Sequence, residues 1–119
     1  MGWVERLSPQ VRSRAVSLEQ AGVSEVAFAA RDALQAARGV SELGLAIVGG
    51  DVWRRVDTAL RPTFENWHTD RRDDENWEAY VVRCLVSSGE EVRNRSLDGR
   101  LLYVLVCVDE HRYSTFDLH

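Results

Sequence analysis

The sequence predicts a single α+β domain in which helices pack on one face of a mainly antiparallel sheet. Three observations carry that expectation. The chain of 119 residues, 45% hydrophobic and 29% charged, is long enough for one core and too short for two. Stretches with helical spacing stand both before and after a group of strand-like segments. Residues 101–108, Leu-Leu-Tyr-Val-Leu-Val-Cys-Val, form an unbroken apolar run, the pattern of a strand covered on both faces, which places it centrally in the sheet.

The elements follow in order. Ser8 and Pro9 open a first helix, because a serine oxygen caps free amides and proline is tolerated at the first helical position. Val11, Ala15 and Leu18 continue it, and Gly22 is its natural stop. Ser24 caps a second helix whose stripe is Val26, Ala29, Ala30, Ala33, Leu34 and Ala37, ending at Arg38 and Gly39. Residues 45–48 read as a short buried strand ended by Gly49 and Gly50, and residues 51–56 as a second extended segment. A turn over residues 57–62 leads to a third strand at residues 63–67, making a hairpin, and residues 68–74 form a polar loop. From Asn76 the apolar residues Trp77, Tyr80, Val81 and Cys84 share one helix face, and the helix reaches about Asn94, with Gly89 a weak point. Asp98 and Gly99 signal a turn into the last strand, so the expected order is α-α-β-β-β-α-β within one domain spanning residues 1–119. Residues 112–116 carry no clear pattern.

Composition excludes several functions. All fifteen basic residues are arginine, which removes any chemistry needing a Schiff-base, P-loop or general-base lysine. A net charge of −4 argues against a general nucleic-acid binder, since phosphate neutralisation needs a basic surface. Residues 51–80 hold eight acids and five arginines and carry most of the excess. No signal-peptide pattern opens the chain and no run is long enough for a membrane helix, so a cytoplasmic protein is expected. Cys84 and Cys107 lack metal-ligand spacing and are expected as free thiols, with no metal or cofactor.

Three motifs go beyond ordinary core building. In Val48-Gly49-Gly50-Asp51-Val52-Trp53 the glycines permit positive φ or a close backbone approach, and Asp51 serves either a bulge with an Asx-type turn or a binding role. Phe64-Glu65-Asn66-Trp67 and Glu75-Asn76-Trp77-Glu78-Ala79-Tyr80 are the other two. Their aromatic residues suit either half-buried cores or interface anchors. Trp77, at helical spacing with Tyr80, is the most core-like, whereas Trp53 and Trp67 on the hairpin are better placed for exposure. An enzyme would have to draw on Asp51, Asp57, Glu65, Asp70, Asp73, Asp74, Glu75 and Glu78 with His68 or His111, for glycosidic acid/base work or metal binding. These acids interleave with Arg54, Arg55, Arg61, Arg71 and Arg72 like a solvated surface, and no HExxH, GxSxG or Cys-His spacing appears. The enzymatic alternative is a small acid-rich hydrolase using Asp51 with His68 or a nearby carboxylate. A third alternative is an oligomerisation module whose aromatics bury against a second copy.

At these motifs the sequence resembles a family of bacterial immunity proteins of polymorphic toxin systems, immunity protein family forty. The family pattern is an apolar strand running into Gly-Gly-Asp-Val-Tyr, then Tyr-x-x-Asn-Trp, then Glu-Ser-Trp-x-x-Tyr opening a helix. The likeness covers about residues 45–85, with Trp53 in place of a tyrosine, Phe64 as the ring of the second motif one place nearer its Asn-Trp, and Asn76 in place of serine. The resemblance implies a non-enzymatic inhibitor, monomeric when free, that binds and neutralises a cognate toxin domain. It marks Gly49, Gly50, Asp51, Trp53, Asn66, Trp67, Trp77 and Tyr80 as motif or toxin-binding residues. Asp51, Trp53, Asn66 and Trp67 are expected near one another.

Overall fold

The computed structural model describes residues 2–117. Its helices are α1 (Pro9–Arg12), α2 (Ala30–Glu42), α3 (Trp77–Arg95) and α4 (Glu110–Asp117), with single 3-10 turns at Trp3–Arg6 and Glu19–Ala21. The strands are β1 (Val16–Ser17), β2 (Val26–Ala29), β3 (Ala46–Val56), β4 (Ala59–His68) and β5 (Leu101–Val108). They form one antiparallel sheet in the order β1-β2-β5-β3-β4, with the apolar β5 at its centre as its sequence requires. The fold is the α+β domain expected, and no described helix is long and apolar enough to cross a membrane.

Alternation along the strands divides the core in two. Phe28, Val52, Trp67, Tyr103 and Leu105 face the helices and pack with Ala33, Ala36, Ala37 and Val40 of α2 and Tyr80, Val81, Cys84 and Val92 of α3. Ala27, Trp53, Leu60, Leu102 and Val104 face the other way, where Leu18 closes over them with Val16 and Val23 at its sides. The small alanine face of α2 lets that helix lie close to the sheet.

The first half of the chain differs from its helical reading. Ser8 caps α1 through the Val11 amide at 3.4 Å, but the helix lasts one turn. Val16 and Ser17 then pair with Ala27 and Val26, because Leu18 has a buried site on the sheet that a surface helix would deny it. Gly22, at φ 81°, ends a 3-10 turn instead of a helix. Residues 26–29 are strand, since Ala27 and Phe28 point into opposite cores, and α2 starts only at Ala30. It passes through Gly39, where Leu7 Cδ2 lies 2.8 Å from the place a Cβ would take. The tail forms α4.

The hairpin also differs. Gly49 and Gly50 lie inside the uninterrupted β3, and the connection is the two-residue turn Asp57–Thr58, with Asp57 at φ 56°. Neither glycine takes positive φ, so close approach is their reason. A Cβ on Gly49 would strike the Trp67 carbonyl oxygen, and one on Gly50 would strike the Trp67 ring and lie 2.6 Å from the Val104 carbonyl oxygen. Both thiols are free; burial pushes Cys84 up to about 11 and pushes Cys107 up as well, which leaves them unreactive. Gly50→Ala should therefore cost about 3 kcal/mol through overpacking, read as a lower midpoint in urea denaturation.

Candidate functional site

The three motifs meet at the end of the hairpin away from its turn. Across β3 and β4, Gly49 pairs with His68, Gly50 with Trp67 and Asp51 with Asn66. Directly opposed residues share a face, and successive residues alternate. Gly50 and Trp67 therefore lie toward the helices, whereas Asp51, Asn66 and His68 lie on the helix-free side. The Trp67 indole occupies the space that a Gly50 side chain would fill and donates its N–H to Ser88 Oγ of α3 at 3.0 Å. Trp53 shares the side of Asp51 but belongs to the cluster of Leu18 and Leu60. The expected closeness holds for Asp51 and Asn66 as a cross-strand pair and for Trp67 as a neighbour on the reverse face. Exposure runs opposite to expectation. Trp53 and Trp67 are buried, at 9% and 7%, while Trp77 is half-buried and donates to the Gly44 carbonyl oxygen at 2.8 Å.

The loop after β4 is held down by groups that sequence reasoning did not single out. Glu75 receives two hydrogen bonds from Arg83, Nε to Oε2 at 2.8 Å and Nη2 to Oε1 at 2.7 Å, and accepts a third from the Arg72 amide at 3.1 Å. These bonds, the Arg83 pair first among them, lower the Glu75 pKa from 4.5 to about 2. Arg83 also donates to the Asp70 carbonyl oxygen at 2.6 Å, and Tyr80 donates to that of Thr69 at 2.5 Å. Burial raises the Tyr80 pKa, so its hydroxyl stays a donor. Asn76 caps α3 through the Ala79 amide at 2.8 Å. Trp77, Tyr80 and Tyr113 of α4 pack as tilted rings at centroid separations of 5.2–6.0 Å, and Arg71 spans the group, over the Trp77 ring and paired with Glu110 at 3.1 Å. An eight-residue spacing between Glu75 and Arg83 is not a helix-pair signal, and Tyr113 lies in the stretch that carries no pattern.

What remains outside this lock is a short exposed set. Asp51 is half-exposed and makes no side-chain hydrogen bond or ion pair among the described residues. Asn66 is exposed beside it, and His68 lies 3.8 Å from Asp70. Between Asn66 and Pro62, β4 carries three residues opposite one on β3, a bulge formed by Thr63, Phe64 and Glu65. Thr63 Oγ1 donates to the Val52 carbonyl oxygen at 2.8 Å and accepts from the Glu65 amide at 3.1 Å. Glu65 reaches Arg95 of α3 at 3.1 Å. Phe64 takes φ 67° and is 86% exposed.

Asp51 and His68 thus share an open sheet face. The described cavities lie elsewhere, one of about 680 Å³ between Gln20, Val23 and the hairpin turn, and Asp51 and His68 line none of them. Asp57 sits in that turn, Asp73, Asp74, Glu78 and His111 are exposed, and no group of three metal-ligating side chains is found among the described residues.

A family model described as Immunity protein 40 matches residues 17–107. The chain belongs to the immunity protein 40 family. In this family member the match takes in β2, β3 and β4 whole, β5 up to Cys107, and both α2 and α3; it starts at the second residue of β1 and leaves α1 and α4 outside. Comparison with curated proteins and with solved structures gives no match.

Two outcomes follow for the immunity protein 40 lock. Because the Glu75 pKa is depressed, its contribution is complete above pH 4.5 and is lost as pH falls toward about 2. Thermal melts from pH 6 to pH 2.5 should show a steeper loss for the wild type than for Glu75→Gln. Trp67→Phe and Ser88→Ala should each cost about 1–3 kcal/mol by leaving a buried partner unsatisfied, and their double mutant should cost less than the sum in a denaturation cycle.

Proposed function

We propose that this immunity protein 40 family member binds a cognate toxin domain and neutralises it, protecting the bacterium that makes both. It acts as a cytoplasmic binding protein, monomeric when free, without catalytic residues, metal or cofactor, and its partner is a protein, not a nucleic acid or a membrane. The observation that carries this reading is the family match over residues 17–107. The geometry supports it by dividing the motif residues between two tasks. Gly49, Gly50, Trp67, Trp77 and Tyr80 build the joint between hairpin and helices, with Trp53 anchoring the opposite core, and so shape the surface without forming it.

Asp51 and Asn66 are the part of the motif offered to the toxin. An unpaired carboxylate on an open face favours a basic partner and speeds encounter, and a neighbouring amide supplies direct hydrogen bonds. The negative excess of residues 51–80 works in the same direction.

The test is to express, in a sensitive host, a toxin domain from a gene neighbouring this one. Cells carrying this protein should survive, and equal killing with and without it would overturn the reading. With the purified pair, Asp51→Arg should weaken binding about 30-fold or more, equivalent to about 2 kcal/mol, while the melting temperature stays within about 2 °C because Asp51 has no folding partner.

A further inference from the structure

We propose that Phe64 is the aromatic anchor of the partner interface and that it enters an apolar socket rimmed by basic residues on the toxin. The inference rests on the toxin-binding reading above and extends it to a residue and to a partner chemistry.

A bulky side chain at φ 67° is in a region that only glycine, and to a lesser degree asparagine, enters without strain. Strain of this kind persists where the surroundings hold it, and burial of the side chain is the usual return. Phe64 has no such return. Its ring is 86% exposed, joins neither core cluster and stacks on no other aromatic side chain among the described residues. The bulge needs a residue tolerant of positive φ, and glycine or asparagine meets that need at lower cost. What phenylalanine adds is a large apolar surface held out in water.

The support beneath the ring is firm. Thr63 bonds both to Val52 across the hairpin and to the Glu65 amide, Glu65 is tied to Arg95, and Pro62 fixes the backbone just before the bulge. A ring displayed on fixed backbone loses little freedom on binding, which is what a tight anchor requires. Along the strand beyond it the composition is that of an interface rim. Asp51, Asn66 and His68 are polar or acidic, and Val106, 38% exposed and paired with Gly49, adds apolar area to the helix-free side. Arg54 is committed to Asp98, Arg83 to Glu75, and Arg95 to Glu65 and Glu91, whereas Arg61, three residues before Phe64, is exposed and makes no ion pair among the described residues. The Asp51 carboxylate, which makes no ion pair or side-chain hydrogen bond among the described residues, is left for a partner, and a basic group on the rim of the socket is its complement.

The test compares the full-length wild type with Phe64→Gly and Phe64→Tyr for binding to the immobilised toxin domain encoded beside the gene, with thermal melts alongside. Phe64→Gly should lose affinity about 100-fold while its melting temperature is unchanged or rises by about 3 °C, since positive φ suits glycine. Phe64→Tyr, which keeps the ring, should stay within about 5-fold, and Val82→Ala on the outer face of α3 should bind as the wild type does. Wild-type affinity should fall as salt rises. Unchanged affinity in Phe64→Gly, or a fall of its melting temperature by more than about 5 °C, removes the anchor while leaving toxin binding intact. Affinity that is independent of salt removes the basic rim. If the wild type neither binds nor protects, toxin binding itself fails and the anchor with it.

Discussion

The Trp67 indole lying on the bare backbone of Gly50 is the contact on which the rest of the site depends. Gly50 supplies the room, Val52 and Tyr103 flank it on the same sheet, and Ser88 takes the indole N–H from above. One side chain thereby joins β4 to α3 across β3. Once β4 is fixed in that register, Thr69 falls within reach of Ser87 and Tyr80, and the following loop can be closed by Glu75 and Arg83. The same register turns Asp51 and Asn66 away from the helices. A shift of one residue would exchange the two faces, placing the indole in water and the carboxylate in the core.

The motifs therefore carry two kinds of residue in one short sequence. Glu-Asn-Trp-Glu-Ala-Tyr is nearly all attachment: a clamp, a cap, a ring bonded to a carbonyl oxygen and a buried hydroxyl. Phe-Glu-Asn-Trp alternates, with the ring and the amide presented outward and the acid and indole turned back toward α3. In this arrangement the outward groups stand directly on the attached ones, with no flexible segment between, so the exposed face inherits the rigidity of the core.

Legibility in the sequence followed the range of the forces involved. Helix α3 and strand β5 were readable because their patterns are local and strong: a capped, periodic face in one, an unbroken apolar run in the other. The span from Ala15 to Ala29 differs from its helical reading because its valines, alanines and leucine satisfy helical spacing as well as strand alternation, and only the sheet face that Leu18 covers decides between them. Gly49 and Gly50 looked like a strand end because their reason is Trp67, seventeen residues beyond Gly50, whose carbonyl oxygen lies against Gly49 and whose ring lies against Gly50. The region of the candidate site was legible from its motifs, but the roles of Trp53 and Trp67 were not, since what covers each belongs to a distant segment. Phe64 stood in a motif as one aromatic among several, and its singular backbone shows only when the bulge is seen.

Both margins of the sheet end in ways that refuse another strand. At one side β1 has two residues, too few to template an addition. At the other, Pro62 withholds an amide hydrogen and the bulge at Thr63–Glu65 breaks the spacing of the outer row. Both edges therefore disfavour the addition of a strand from a second copy, the usual route by which an exposed sheet margin seeds aggregates.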